Sequence, residues 1–208
     1  HWHNVLAPKC ECSRYSMRLA SVDHVKRRPH KPSGRIWQLG LGKALSQATR
    51  NYAVNEVVDL VKAKIRRLSQ SPLHLQKRLN DKQIEAANER LAFPVPFVLV
   101  NLYQKVGNGG FGPYFGLLGL SGGWADDNGR DAVEVYEWLR APGDDEELGE
   151  AELPDYLLPI CHQGCGVYVC IDCQSPEAIV FNYDPAKDTD QLTSTGKPFT
   201  EWLIDWAS

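Results

Sequence analysis

Two rhythms of apolar and polar positions alternate along this chain, and each predicts its own kind of element. From Val54 onward, Val57, Val58, Val61, Ile65 and Leu68 recur at helical spacing. Asn55, Glu56, Lys62, Lys64, Arg66 and Arg67 fall mostly elsewhere on the wheel. The spacing predicts a helix over Tyr52–Leu68, its basic residues gathered at the end where the helix dipole favours them. Such a stripe can meet a membrane surface or a partner groove. The commoner use, expected here, is to cover the domain's own core.

A second helical pattern runs through Ile84, Ala87 and Leu91. Pro94 and Pro96 interrupt it, because proline lacks an amide donor and pushes its predecessor toward extended backbone. A helix can restart at Pro96, where a missing N–H is harmless in the first turn. Phe97, Leu99, Val100, Leu102, Tyr103 and Val106 make this helix apolar around most of its circumference, so burial is expected. It should end at Gly107, with Asn108, Gly109 and Gly110 supplying positive φ for a sharp reversal.

Beyond that turn, Tyr114–Leu120 reads as a glycine-containing strand ended by Ser121-Gly122-Gly123. Asp131–Leu139, after an Asn128-Gly129 turn, reads as a short helix with Val135, Trp138 and Leu139 inward. Leu157–Cys161 and Gly166–Asp172 form an expected hairpin about Gln163-Gly164-Cys165-Gly166. In its second strand Val167, Val169 and Ile171 alternate with Tyr168, Cys170 and Asp172, the pattern of a half-buried strand. Ala178–Tyr183 repeats the alternation after a Gln174-Ser175-Pro176 turn. A helix over Phe199–Trp206 places Phe199, Trp202, Leu203 and Trp206 on one stripe. Antiparallel strands flanked by helices indicate an α+β fold.

The stretch IEAANERLAFPVPFVLVNLYQKVGNGGFG, Ile84–Gly112, combines a charged helix, a proline break, a buried helix and a Tyr-x-x-x-x-Asn-Gly-Gly turn. It resembles the SUKH superfamily, and within it the SMI/KNR-type members. LLPICHQGCGVYVCIDCQSPEAIVFNYDP, Leu157–Pro185, is similar to the strands that follow in that family. The likeness extends over about Leu73–Trp206. It implies a mostly antiparallel sheet flanked by helices and a protein-binding role. Bacterial members are immunity proteins that bind a cognate toxin, and fungal members are cell-wall assembly regulators.

Charge divides the chain at the same place. Residues 1–75 hold 14 Lys+Arg and 4 Asp+Glu, a net of +10, whereas residues 76–208 hold 9 and 22, a net of −13. Such asymmetry speaks to partner electrostatics rather than fold. The expected organisation is an irregular basic leader over 1–36, a helical extension over 37–72 and the SUKH-like domain over 73–208. In the leader, Lys26-Arg27-Arg28-Pro29-His30-Lys31-Pro32 suggests an anion-binding tether by charge alone, but no aromatic interleaving accompanies it. A solvated leader is the expectation, and neither nucleic acid nor membrane is the expected partner. No apolar run approaches the ~20 residues of a membrane helix, and no secretory-type segment opens the chain, so a cytoplasmic address is expected.

Candidate chemistry is sparse. Cysteines stand at 10, 12, 161, 165, 170 and 173, with His162 among the last four. Cys170-x-x-Cys173 is half of a zinc pattern, but Cys161 and Cys165 lack the spacing of a second half. Reduced thiols and no cofactor are expected, with Cys161 and Cys170 acting as small apolar strand residues. His1-Trp2-His3 is a conceivable copper chelate only with a free terminal amine. No nucleophile elbow, phosphate loop or zincin helix occurs, so the chain is expected not to be an enzyme. The pairs Asp126/Asp127 and Glu134/Glu137 read as surface charge. Asn108-Gly109-Gly110 reads as a turn rather than an anion nest. Tyr114-Phe115 and Gly123-Trp124 are either interface aromatics or core.

The expected partner is a protein, a basic toxin domain, met by an acidic surface that steers association. Asp144, Asp145, Glu146, Glu147, Glu150 and Glu152 of the Gly143–Asp155 loop are the candidate contacts, together with Asp126 and Asp127. Trp124 is the candidate anchor. The alternative expectation is an intracellular scaffold or regulator whose basic extension serves as a docking arm.

Overall fold

The computed structural model describes residues 40–68, 75–141 and 153–208, with side chains from residue 54 onward. Within these bounds five helices accompany one four-stranded sheet: α1 (Gly40–Leu68), α2 (Asp81–Leu91), α3 (Phe97–Lys105), α4 (Ala132–Arg140) and α5 (Phe199–Ala207), with β1 (Leu157–Gly164), β2 (Val167–Asp172), β3 (Ile179–Tyr183) and β4 (Leu192–Pro198). The strands pair antiparallel in chain order, β1-β2-β3-β4. This is the α+β arrangement expected.

Helix α1 presents Val54, Val57, Val58, Val61 and Ile65 as a buried stripe, packed against α3 and α5. It starts well before the predicted Tyr52. Residues 43–52 contain neither proline nor glycine, so a nucleated helix propagates through them without needing the apolar period. The predicted leader over 1–36 lies outside the described residues.

Helix α2 opens with a capping box. Asn80 Oδ1 accepts the Gln83 N–H at 3.0 Å, and Gln83 Oε1 accepts the Asn80 N–H at 3.2 Å. At the proline break, Asn88 Oδ1 takes the Val95 N–H at 2.9 Å. Helix α3 then buries Leu99, Leu102 and Tyr103, and the Tyr103 hydroxyl donates to the Leu118 carbonyl. Phe97 departs from expectation. It stands in the first turn, on the side turned away from the core, and is exposed.

Helix α4 is capped by Asp131, whose Oδ1 accepts from Val133 and Glu134, while Glu134 returns to the Asp131 N–H. Ala132, Val133, Val135 and Tyr136 face the core. Trp138, predicted inward, is turned out instead, with the Arg130 guanidinium 3.7 Å above its ring. The buried side of the helix is centred on Val135 and Tyr136, which leaves Trp138 on its flank.

Two strand expectations also change. The alternation in β2 suggested one wet face, yet Tyr168, Val169, Cys170 and Ile171 are all buried. Strand β2 lies between β1 and β3, and the loop ahead of α4 covers its Tyr168 side. Tyr114–Leu120 is no strand but irregular chain with a single bridge, Leu117 to Cys161. Tyr114 at φ 53° and Gly116 at φ 91° are left-handed, which a pleated strand cannot continue through. Strand β4 went unpredicted. Its sequence LTSTGKP has no apolar alternation, and most of it is solvent-facing. No described helix is long and apolar enough to cross a membrane.

A candidate partner-binding surface

The long connection from α3 to α4, residues 106–131, is where the sequence's candidate residues meet. Its inner side is held by side chains that replace sheet bonds. Asn108 Oδ1 accepts the Leu120 N–H at 2.8 Å, and Asn108 Nδ2 donates to the Leu120 carbonyl. The Asn108 carbonyl takes the Trp124 N–H at 2.9 Å, and Gly119 joins the Trp124 carbonyl at 2.7 Å and the Ala132 N–H at 2.9 Å. Only glycine fits here. A Cβ on Gly119 would lie 2.5 Å from the Asn108 carbonyl oxygen and from Gly123 Cα. Gly109 and Gly110 have the positive φ predicted for the turn, but Asn108 does not; it is the buried bracket. The Gly109 and Gly110 amides already donate to Gly107 and Leu117 carbonyls, so this turn is structural.

Asp126 and Asp127, adjacent and identical in type, have separate fates. The Asp126 side chain is fully covered. Its Oδ1 accepts the amides of Asn128 and Arg130, each at 2.9 Å. Its Oδ2 accepts from Arg130 Nη2 at 2.9 Å and Nε at 3.1 Å, and from the Tyr168 hydroxyl at 3.1 Å. Burial alone would raise its pKa, but the bonds from Arg130 and Asn128 together hold the carboxyl below its usual range. The Tyr168 phenol is pushed up, by burial first and then by the Asp126 charge. Asp126 therefore ties the loop onto the sheet.

Asp127 instead projects, with its side chain 77% exposed. Its Oδ2 lies 3.7 Å from Nδ1 of His162, a buried nitrogen without a hydrogen-bond partner. The Phe115 ring is 5.9 Å from the His162 ring, which in turn lies 5.1 Å from Tyr168. Trp124 is half-buried, and its Nε1 donates to the Phe115 carbonyl at 3.0 Å. Tyr114 and Phe115 are among the most exposed aromatic residues described. The structure thus brings Trp124 and Asp127 to one rim, and adds Tyr114, Phe115 and His162. Sequence reading noticed His162 only as a neighbour of cysteines. Its single usable signal was a polar side chain directly after the apolar run LLPIC, still within β1.

The other candidates sort simply. Asp144, Asp145, Glu146, Glu147, Glu150 and Glu152 lie outside the described residues, as do Cys10, Cys12 and His1-Trp2-His3. Asp155, at the far end of the acidic loop, pairs with Arg140. Glu134 caps α4 and Glu137 pairs with Arg90. Burial raises the thiols of Cys161 and Cys173 to about 12, and that of Cys170 further. Among the described residues no three His, Cys, Asp or Glu side chains gather as a metal site requires.

A helix pair closed by a glycine turn, a four-stranded meander and an outward aromatic rim define a small α+β domain. The model of the SMI1 / KNR4 family (SUKH-1) matches residues 78–205, and the chain belongs to that family, whose domains are generally protein-interaction domains. No curated protein matches the chain.

Proposed function

We propose that this chain is a non-enzymatic binder of one protein partner, an immunity protein that neutralises a cognate toxin domain in the cytoplasm of the cell making it. The observation that carries this reading is the pairing of charge with surface. Residues 76–208 have a net charge of −13, and the rim of the family domain presents Asp127 among outward aromatic side chains. Acidic surfaces accelerate encounter with basic partners, and central aromatic residues supply most of the retained affinity. A nuclease toxin, with its basic substrate cleft, fits such a surface.

The test is capture of stoichiometric partners by the tagged chain at low and high salt, identified by mass spectrometry. One basic partner with a toxin-like domain, released by salt, is the expected result. The +10 charge of residues 1–75 supports a second reading, a scaffold or regulator with a docking arm. Several weak partners lost on removal of residues 1–72 would replace the first reading with that one.

A further inference from the structure

Resting on the protein-binding reading above, we infer that Phe115, Asp127 and His162 form a receiving site for an arginine side chain of the partner. The chain already contains one completed version of the same chemistry. Arg130 lays its guanidinium over Trp138 at 3.7 Å while donating through Nε and Nη2 to Asp126. The rim repeats the elements, an aromatic face and a carboxylate, without a cation between them. Among the described residues, no lysine or arginine forms an ion pair with Asp127, whose Oδ2 lies 3.7 Å from His162 Nδ1.

Three features make the rim more than an exposed patch. First, the Nδ1 of His162 is buried and lacks a hydrogen bond, with Asp127 too far at 3.7 Å to supply one. A guanidinium has five N–H donors, and a carboxylate edge takes only two of them in the bidentate arrangement. The unpartnered Nδ1 of His162, 3.7 Å from that carboxylate, marks where a further polar contact is missing. Second, Phe115 is 59% exposed, the Trp124 indole donates to its carbonyl, and its ring lies 5.9 Å from that of His162, the histidine next to the carboxylate. Third, Tyr114 is held at φ 53°, a left-handed conformation that is unfavourable for a non-glycine residue. The loop accepts that conformation and turns more than half of each of two aromatic residues toward water, with the Phe115 ring against His162.

Arginine matches this set better than lysine does. Its flat, weakly hydrated guanidinium stacks on an aromatic ring while pairing with a carboxylate, whereas an ammonium is a compact, strongly hydrated charge. Arg130, the nearby cation, is already committed to Asp126 and Trp138 and does not compete for Asp127.

The probe is N-acetyl-arginine amide, titrated into the full-length chain and followed by two-dimensional NMR, with the lysine and citrulline amides as comparisons. The expected result is saturable shifts at Tyr114, Phe115, the Trp124 indole, Asp127 and His162. Their Kd should fall in the range of about 1–50 mM suited to a single side chain. Lysine should bind at least about threefold more weakly, citrulline should not saturate, and Asp127→Asn and Phe115→Ala should each abolish saturation. Shifts that appear equally in Asp127→Asn, or no saturation at the rim by about 100 mM, overturn the site. Once a protein partner is in hand, equal affinity for wild type and Asp127→Asn also overturns it. A wild-type chain that binds arginine at the rim but captures no protein would leave the site standing and remove the protein-binding reading instead.

Discussion

The inner and outer sides of residues 106–131 are built from the same kinds of residue and put them to opposite uses. Inside, Asn108, Asp126 and Asp131 spend their side-chain oxygens on backbone amides, closing a stretch that has almost no sheet pairing of its own. Outside, Tyr114, Phe115 and Asp127 stand in water beside a histidine nitrogen with no partner. The comparison teaches that an irregular segment can be rigid on one side so that the other can be held out. Polar residue type does not distinguish the two sides; only the count of satisfied acceptors does.

The largest effect should come from crowding the inner side. Gly119→Ala sets a Cβ within 2.6 Å of three backbone atoms that have no room to yield. The expected loss is at least about 3 kcal/mol, the range of severe overpacking, read as a collapse of the thermal transition. A transition within a few degrees of wild type would show that this side is soft, and the contrast with the rim would fail.

A smaller effect, with a pH signature, belongs to Asp126→Asn. Losing the charge that Arg130 and Tyr168 share should cost about 2 kcal/mol at neutral pH. The folded carboxyl titrates below its unfolded value, so its stabilisation is present above about pH 4 and disappears as pH falls through the depressed folded value. Urea unfolding should therefore show the gap between wild type and variant in full at pH 6 and reduced at pH 3. A gap that is the same at both would mean that the carboxylate's charge contributes nothing.

The smallest stability effects should be on the rim. Asp127→Asn and Phe115→Ala remove exposed groups and should each shift the unfolding free energy by less than about 0.5 kcal/mol. Measured beside Asp126→Asn, they sharpen the contrast: neighbours in sequence, about fourfold or more apart in stability. A large loss from Phe115→Ala would mark that ring as core.

How legible was this from sequence? Local signals were faithful. The Pro94/Pro96 break, the turn at Gly109 and Gly110, the hairpin at Cys165 and Gly166, and the stripes of α1 and α5 all follow from near-neighbour physics. What failed depended on distant partners. Trp138 reads as a core residue by spacing, but Arg130 gives it a place outside. Strand β4 exists because β3 offers an edge, not because LTSTGKP has any preference of its own. Tyr114–Leu120 carries strand composition yet is bent by its left-handed residues. Of the candidate site, Trp124 and Asp127 were visible by residue type. His162 was not, because its meeting with Asp127 and Phe115 is made by loop folding onto β1.

The two edges of the sheet end differently, and the difference bears on dose. Along β1, the Leu118 N–H donates to Ile160 at 2.8 Å, so the chain's own loop occupies that border. Along β4 the border is polar, turned by Gly196 at φ 70°, followed by Lys197, and stopped by Pro198. Charge, twist and proline are what discourage an incoming strand. As the one-to-one binder proposed above, the chain would have to outnumber its target. A sheet without an inviting border lets the supply rise with synthesis instead of being lost to its own fibres.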